Sequence, residues 1–141
     1  MYPFLLSVFC YDLWFYISHR WLHTNFGYKW IHRHHHSVKA DTMGYSDTYV
    51  AHLVEGPLQS LGAFFPLVFV PFSLRLYLYV FLFLNLRGML RHDVRMTWLV
   101  GNHHVLHHKY PQCNYGDLWL DWMLGTKHPN WNEYKFGIIY N

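Results

Sequence analysis

Two copies of the pattern H-x-x-H-H hold most of the chemistry this sequence offers. One is His32, His35 and His36; the other is His104, His107 and His108. A pair spaced H-x-x-x-H, His19 and His23, precedes both. Residues three and four apart share a helix face, so each triplet is expected to aim three imidazoles at one place, and the pair adds two more. Neutral imidazole binds Zn, Cu, Fe and Ni, and its second nitrogen is usually held by a carboxylate or carbonyl. The motif histidines exceed what one ion needs. With the isolated His52 and His92 they make ten of the thirteen histidines in 141 residues, enough for two ions with about five ligands each.

The remaining histidines read differently. His34 and His103 neighbour the clusters but lie off the ligand face, so they are expected to support the ligands or to face solvent. His128 reads as a surface residue. Three carboxylates are placed to orient imidazoles. Asp12 shares a helical stripe with Tyr16, His19 and His23; it reads equally as a partner for an imidazole or as a hydrogen-bonding group to a neighbouring helix. Glu55, three residues after His52, can orient that ring or serve as an interfacial carboxylate. Asp121 follows the turn Asn114-Tyr115-Gly116.

Helices must position these groups. Residues 2–18 are apolar apart from Asp12 and a few hydroxyls, which is near the lower limit of about 17–25 residues for a membrane helix. Asn25-Phe26-Gly27 reads as a break, followed by a helical segment carrying the first triplet and a polar loop over 38–48. From Val50 to His92 the pattern is a hairpin with arms Leu53–Val70 and Leu74–Leu90, a turn at Pro71-Phe72-Ser73 and a kink at Pro66. Each arm is long enough to cross or nearly cross a bilayer core of roughly 30 Å. His52 and His92 bracket the hairpin and so return to one membrane face. Only Arg75 lies at the far turn; every other Lys and Arg falls within 20–39 or 87–135, which places the histidine side in the cytoplasm. The expectation is an all-α integral membrane helical bundle with a histidine-rich di-metal site on its cytoplasmic side. That means the endoplasmic reticulum in a eukaryote or the inner membrane in a bacterium.

Composition narrows the classes. Charged residues are 13% and aromatics 21% of the chain, against about 25% charged in a soluble domain. The net charge of +3 is modest, and no basic face interleaved with aromatics supports nucleic-acid binding. Cys10 and Cys113 form no C-x-x-C pair and read as free thiols. No signal peptide is evident.

Taken together, Asp12-x-x-Phe15-Tyr16-x-x-His19-Arg20-x-x-His23, His32-x-x-His35-His36, Ala51-His52-x-x-Glu55, His104-x-x-His107-His108, Asn114-Tyr115-Gly116, Asp121 and Gly125-Thr126 resemble the fatty acid hydroxylase and sterol desaturase superfamily. The resemblance runs from Asp12 to Thr126. It implies a membrane oxygenase with a histidine-bound centre of two iron ions, with zinc as a substitute metal. Such an enzyme hydroxylates or desaturates an acyl, sterol or related lipid, using O2 and electrons from a separate donor protein. By motif the ligands are His19, His23, His32, His35, His36, His104, His107 and His108, while His52 and His92 fit the family's isolated histidines less tightly. Relatives usually carry further membrane helices before the first motif. Residues 1–141 are thus expected to form a single compact or N-terminally truncated domain. A carotenoid hydroxylase or ketolase, and a non-catalytic membrane metal binder, are the competing readings.

Overall fold

The computed structural model describes residues 2–71 and 73–139, and among these every regular element is a helix or a helical turn. The all-α expectation holds. The apolar N-terminal run forms α1, Tyr2–Leu22, with Pro3 in the first turn, where no intrahelical N–H is needed. The expected break falls earlier than Asn25. The chain turns at His23 and Thr24, and α2, Asn25–Trp30, starts at once, with Thr24 Oγ1 accepting the Gly27 N–H at 3.3 Å. A Cβ at Gly27 would lie 2.7 Å from Leu22 Cα, so this corner closes only around glycine.

The first triplet sits on a 3-10 helix, His32–Ser37. Two further 3-10 turns, Ala40–Thr42 and Tyr45–Tyr49, fill the expected loop. The first hairpin arm is not one helix. It is α3, Glu55–Ser60, followed by a 3-10 helix, Leu61–Val68, that contains Pro66. This arm packs along α1: Trp14 Nε1 donates to the Leu58 carbonyl at 2.7 Å, and a Cβ at Gly62 would lie 2.5 Å from Trp14 Cβ. The second arm is α4, Leu74–His92, capped by Ser73, whose Oγ accepts the Leu76 N–H at 3.4 Å. Phe72, in the expected turn, lies outside the described residues.

Among the described residues no helix is long and apolar enough to cross a membrane. This corrects the expectation of a spanning helix and a spanning hairpin. In α1, Asp12 and a series of hydroxyl and imidazole side chains interrupt the apolar run. The first arm is broken into two short helices. In α4, Arg75, Asn85, Arg87 and Arg91 dilute the leucines and aromatics.

Five short helical pieces complete the fold among the described residues: a 3-10 turn, Val94–Met96; α5, Thr97–Val100; α6, His103–Lys109; α7, Leu118–Met123; and a 3-10 turn, Trp131–Glu133. The tail after His128, which the sequence left unassigned, folds back along α5. Ile138 and Ile139 donate their N–H groups to the carbonyls of Trp98 and Leu99 at 3.2 and 3.0 Å. α1, α4 and the α6–α7 loop are tied by buried charges: Asp12 pairs with Arg87, Arg87 approaches Asp117 at 3.6 Å, and Arg91 pairs with Asp117. Cys10 and Cys113 are free thiols.

Candidate metal centre

Nine of the ten expected ligands gather into two adjoining clusters. His19, His23, His32, His36 and His107 form the first; His35, His92, His104 and His108 form the second. In each, one ring nitrogen per histidine lies within 4.8 Å of all the others. His52 joins neither. It is exposed, and its Nδ1 accepts the Val54 N–H at 3.2 Å.

The triplets do not each converge on one place, as spacing had suggested. Both divide. His32 and His36, four apart, serve the first cluster, while His35 between them serves the second. His104 and His108 serve the second, while His107 serves the first. The outer pair of H-x-x-H-H thus goes one way and the middle histidine the other. Each triplet stitches the two clusters together.

The ring nitrogens show why the site suits cations. His19 Nδ1 faces the Tyr115 carbonyl at 2.5 Å, His35 Nδ1 the Val50 carbonyl at 2.9 Å, and His92 Nδ1 the Gly88 carbonyl at 2.8 Å. His107 Nδ1 faces the Cys113 carbonyl at 2.6 Å, and His32 Nδ1 faces Glu55 Oε1 at 2.8 Å. A carbonyl only accepts, so Nδ1 carries the proton and Nε2 of the neutral ring is a bare lone pair. Those lone pairs face one another. Nε2 of His19 and His32 are 3.0 Å apart, and Nε2 of His35 and His92 are 3.1 Å apart. Nε2 of His107, also a bare lone pair, lies 3.0 Å from that of His23 and 3.1 Å from that of His36, two rings whose tautomers no Nδ1 partner fixes among the described residues. Two acceptors at that distance repel unless a positive charge lies between them. Burial keeps the rings neutral: it is the main cause lowering His23 and His32 to about 3, and with the neighbouring imidazoles it lowers His36 to about 2. His107 and His108 are lowered further by the same causes.

His108 has no hydrogen-bond partner at either ring nitrogen among the described residues, and its ring lies 4.7 Å from His35 and 5.3 Å from His92. A cation is the partner its position fits.

The carboxylates fall into three roles. Glu55 holds His32 rather than His52. Asp12 engages Arg87 on the neighbouring helix, not an imidazole. Asp121 is fully buried and accepts the N–H groups of Tyr115 and Gly116 at 2.9 and 2.8 Å, the Thr126 hydroxyl at 2.7 Å and His103 Nε2 at 3.0 Å. It fixes the turn whose Tyr115 carbonyl in turn fixes His19. His34 is exposed. His103 is buried on Asp121, and His128 is buried and stacked on Tyr110 at 4.5 Å rather than lying at the surface. The carbonyls of Val50, Gly88, Cys113 and Tyr115 were missed from sequence, because backbone acceptors leave no residue-type signal. The one hint was that Asn114-Tyr115-Gly116 follows the second triplet. Asn114 takes a left-handed conformation, φ 59°, which asparagine tolerates better than most residues.

A family model for fatty acid hydroxylases matches residues 4–126. The chain belongs to the fatty acid hydroxylase family. Within it, the chain is similar to a Delta(7)-sterol 5(6)-desaturase of Gibberella zeae, 34% identical over 82% of this chain and 34% of that protein. It is also similar to the corresponding desaturase of Saccharomyces cerevisiae, 32% identical over 82% of this chain and 32% of that protein. Human lathosterol oxidase is 31% identical over 79% of this chain and 39% of its own length. The chain thus spans about a third of the length of the curated fatty acid hydroxylase relatives it matches. No solved structure matches it.

A cavity of about 290 Å³ opens beside the clusters of this fatty acid hydroxylase domain. His35, His92 and His104 of the second cluster and His19 of the first line it, together with Phe15, Phe64, Tyr77 and Phe81.

Proposed function

We propose that this chain is the metal-binding core of an O2-dependent oxidoreductase that desaturates or hydroxylates a membrane lipid, with a sterol as the favoured substrate class. The observation that carries the reading is the cavity, which joins apolar aromatic walls to the imidazoles of both clusters. The relatives named for sterol desaturation and lathosterol oxidation support the substrate class. A metal store has no use for such a cavity, which argues against the non-catalytic alternative. Nothing in the relatives favours a carotenoid hydroxylase.

The donor set fits two iron ions. The first would be held by His19, His23, His32, His36 and His107, the second by His35, His92, His104 and His108. Five imidazoles exceed the four ligands of a closed tetrahedral zinc site, and His52 is left outside the ligand set we propose. When bound, iron supplies the redox chemistry with O2 that breaks an unactivated C–H bond, which acid–base side chains alone cannot break. The protein's part is positioning and exclusion of water. Glu55 and the carbonyls of Val50, Gly88, Cys113 and Tyr115 keep the Nδ1 atoms of His32, His35, His92, His107 and His19 protonated and their Nε2 atoms aimed inward. Phe15, Phe64 and Phe81 exclude water and hold an apolar skeleton against the second cluster. Electrons come from a separate donor protein.

We place the chain at a bilayer. Leu5, Phe9 and Ile17 of α1 and Leu78, Phe81 and Leu82 of α4 are exposed apolar groups, a surface that needs an apolar partner. These faces enter the lipid, the histidine end lies on the cytoplasmic side, and residues 1–141 act as one domain.

The test is incubation of iron-loaded protein in membranes with 18O2, a reducing system and sterol, acyl and carotenoid lipids. A new double bond without label in a sterol is the expected product. Labelled alcohol would move the reaction to hydroxylation. No iron-dependent product from any lipid, beside an active control enzyme, would overturn the oxygenase reading.

A further inference from the structure

The cavity has two polar walls, and they differ in what their side chains have left to give. On the α4 side Tyr49 Oη donates to Asn85 Oδ1 at 3.2 Å, and Asn85 Nδ2 donates to the Phe81 carbonyl at 2.8 Å. Arg87 is engaged by Asp12 and Asp117. That wall is spent on itself. On the α3 side stand Glu55 and Gln59, four residues apart and therefore on one helix face, and both line the cavity. Glu55 is 2% exposed; Oε1 holds His32, but Oε2 is buried with no hydrogen-bond partner among the described residues. The half-buried Gln59 side chain makes no hydrogen bond among them either. A buried carboxylate oxygen without a donor costs on the order of 1–3 kcal/mol, and an apolar substrate skeleton sealing the cavity would deepen that penalty.

We infer that Glu55 Oε2 and the Gln59 amide form the anchor for a hydroxyl group of the lipid substrate. The hydroxyl donates to Glu55 Oε2 and accepts from the Gln59 amide N–H, so both orphan groups and both roles of the hydroxyl are satisfied. Glu55 is one imidazole away from the first cluster through His32. The anchor therefore selects lipids in which the hydroxyl lies within a few bonds of the carbon to be oxidised. It rejects lipids whose polar group sits at the far end of the skeleton. The inference rests on the lipid-oxidoreductase reading above and names the polar feature that the substrate must carry.

The experiment measures binding and does not depend on turnover. A fluorescent sterol with a conjugated polyene ring system and its 3-methyl ether are titrated against the full chain in nanodiscs, read by energy transfer from tryptophan. Bound cobalt is measured in parallel as a check that the clusters are intact. The expected result is about tenfold tighter binding of the free alcohol, the scale of one lost hydrogen bond. In Gln59→Leu both the alcohol and its methyl ether should bind about threefold or more weakly, because the ether oxygen also accepts from the Gln59 amide, with the alcohol preference and cobalt content retained. Glu55→Ala, which binds cobalt more weakly and is therefore assayed with cobalt raised until its content matches that of the unmodified chain, should abolish the preference. Equal binding of the two sterols by the unmodified chain would overturn the anchor and leave the proposed function standing. A preference that survives in Glu55→Ala, or unchanged affinity of both sterols in Gln59→Leu, would overturn it as well. Failure of either sterol to bind would remove the sterol reading itself, and the anchor with it.

Discussion

Glu55 Oε1 lies 2.8 Å from His32 Nδ1, with both side chains buried. At the far side of the same ring, His32 Nε2 lies 3.0 Å from His19 Nε2 and 3.1 Å from His36 Nε2. One carboxylate thus sets the tautomer of the ring that joins two other ligands of the first cluster. Carboxylates in this position typically contribute 10–100-fold to metal affinity. Glu55→Ala is expected to weaken cobalt or iron binding by about that factor, and Glu55→Gln, which keeps a hydrogen-bonding group, by less. Competition against a coloured chelator measures both. Unchanged affinity in Glu55→Ala would show that the ring needs no such partner.

The division of each triplet predicts an unusual pattern of metal loss. His36→Ala removes a ligand from the first cluster and His35→Ala removes one from the second, although the two are adjacent in sequence. Each variant should bind about one ion of the pair under limiting metal, and the two together about none. His34→Ala, an exposed neighbour, should keep both. Elemental analysis of the purified variants gives the stoichiometry. Complete loss of metal in both single variants would instead mean one indivisible site.

Asp121 accepts from four groups while buried to 0% exposure. Asp121→Ala leaves those donors unsatisfied, at about 1–3 kcal/mol for each that water cannot reach. A fall in thermal midpoint of several degrees or more is expected, together with weaker metal binding, because the Tyr115 carbonyl that holds His19 loses its support. Thr126→Val removes one of the four donors and should cost about 1 kcal/mol. Calorimetry of the metal-free and metal-loaded forms separates the two effects.

The metal-free chain should be acid-sensitive. The imidazoles of His23, His32 and His36 titrate at about 3, 3 and 2 in the fold, lowered chiefly by burial from the ordinary 6.5. Between those values the unfolded chain binds protons that the folded chain refuses. Stability is therefore full above pH 6.5 and is lost as pH falls toward about 3. Bound metal occupies the same lone pairs and stabilises the folded state. Stripping the ions with a chelator should move the acid unfolding midpoint upward, as followed by circular dichroism. Identical acid transitions with and without metal would argue that these imidazoles hold none.

The sequence by itself determined the helical class, the nine histidines that gather at the site among the ten it marked, and their division into motifs. Spacing at three and four is a local property, written by helix geometry on any chain that carries it. It placed Glu55 near the imidazoles but not on the right partner. Glu55 was set beside His52 by sequence distance, whereas folding brings it to His32, twenty-three residues away. His52, in the loop before α3 and facing solvent, had no local mark to distinguish it from His92 on the last turn of α4. Only the tertiary structure decided that each triplet is shared between two clusters. That division depends on how α1, α4, α6 and the 3-10 helix of the first triplet approach one another, and no single helix encodes it. The same holds for the backbone carbonyls that fix the imidazole tautomers. Every residue has one, and only the path of the chain selects Val50, Gly88, Cys113 and Tyr115.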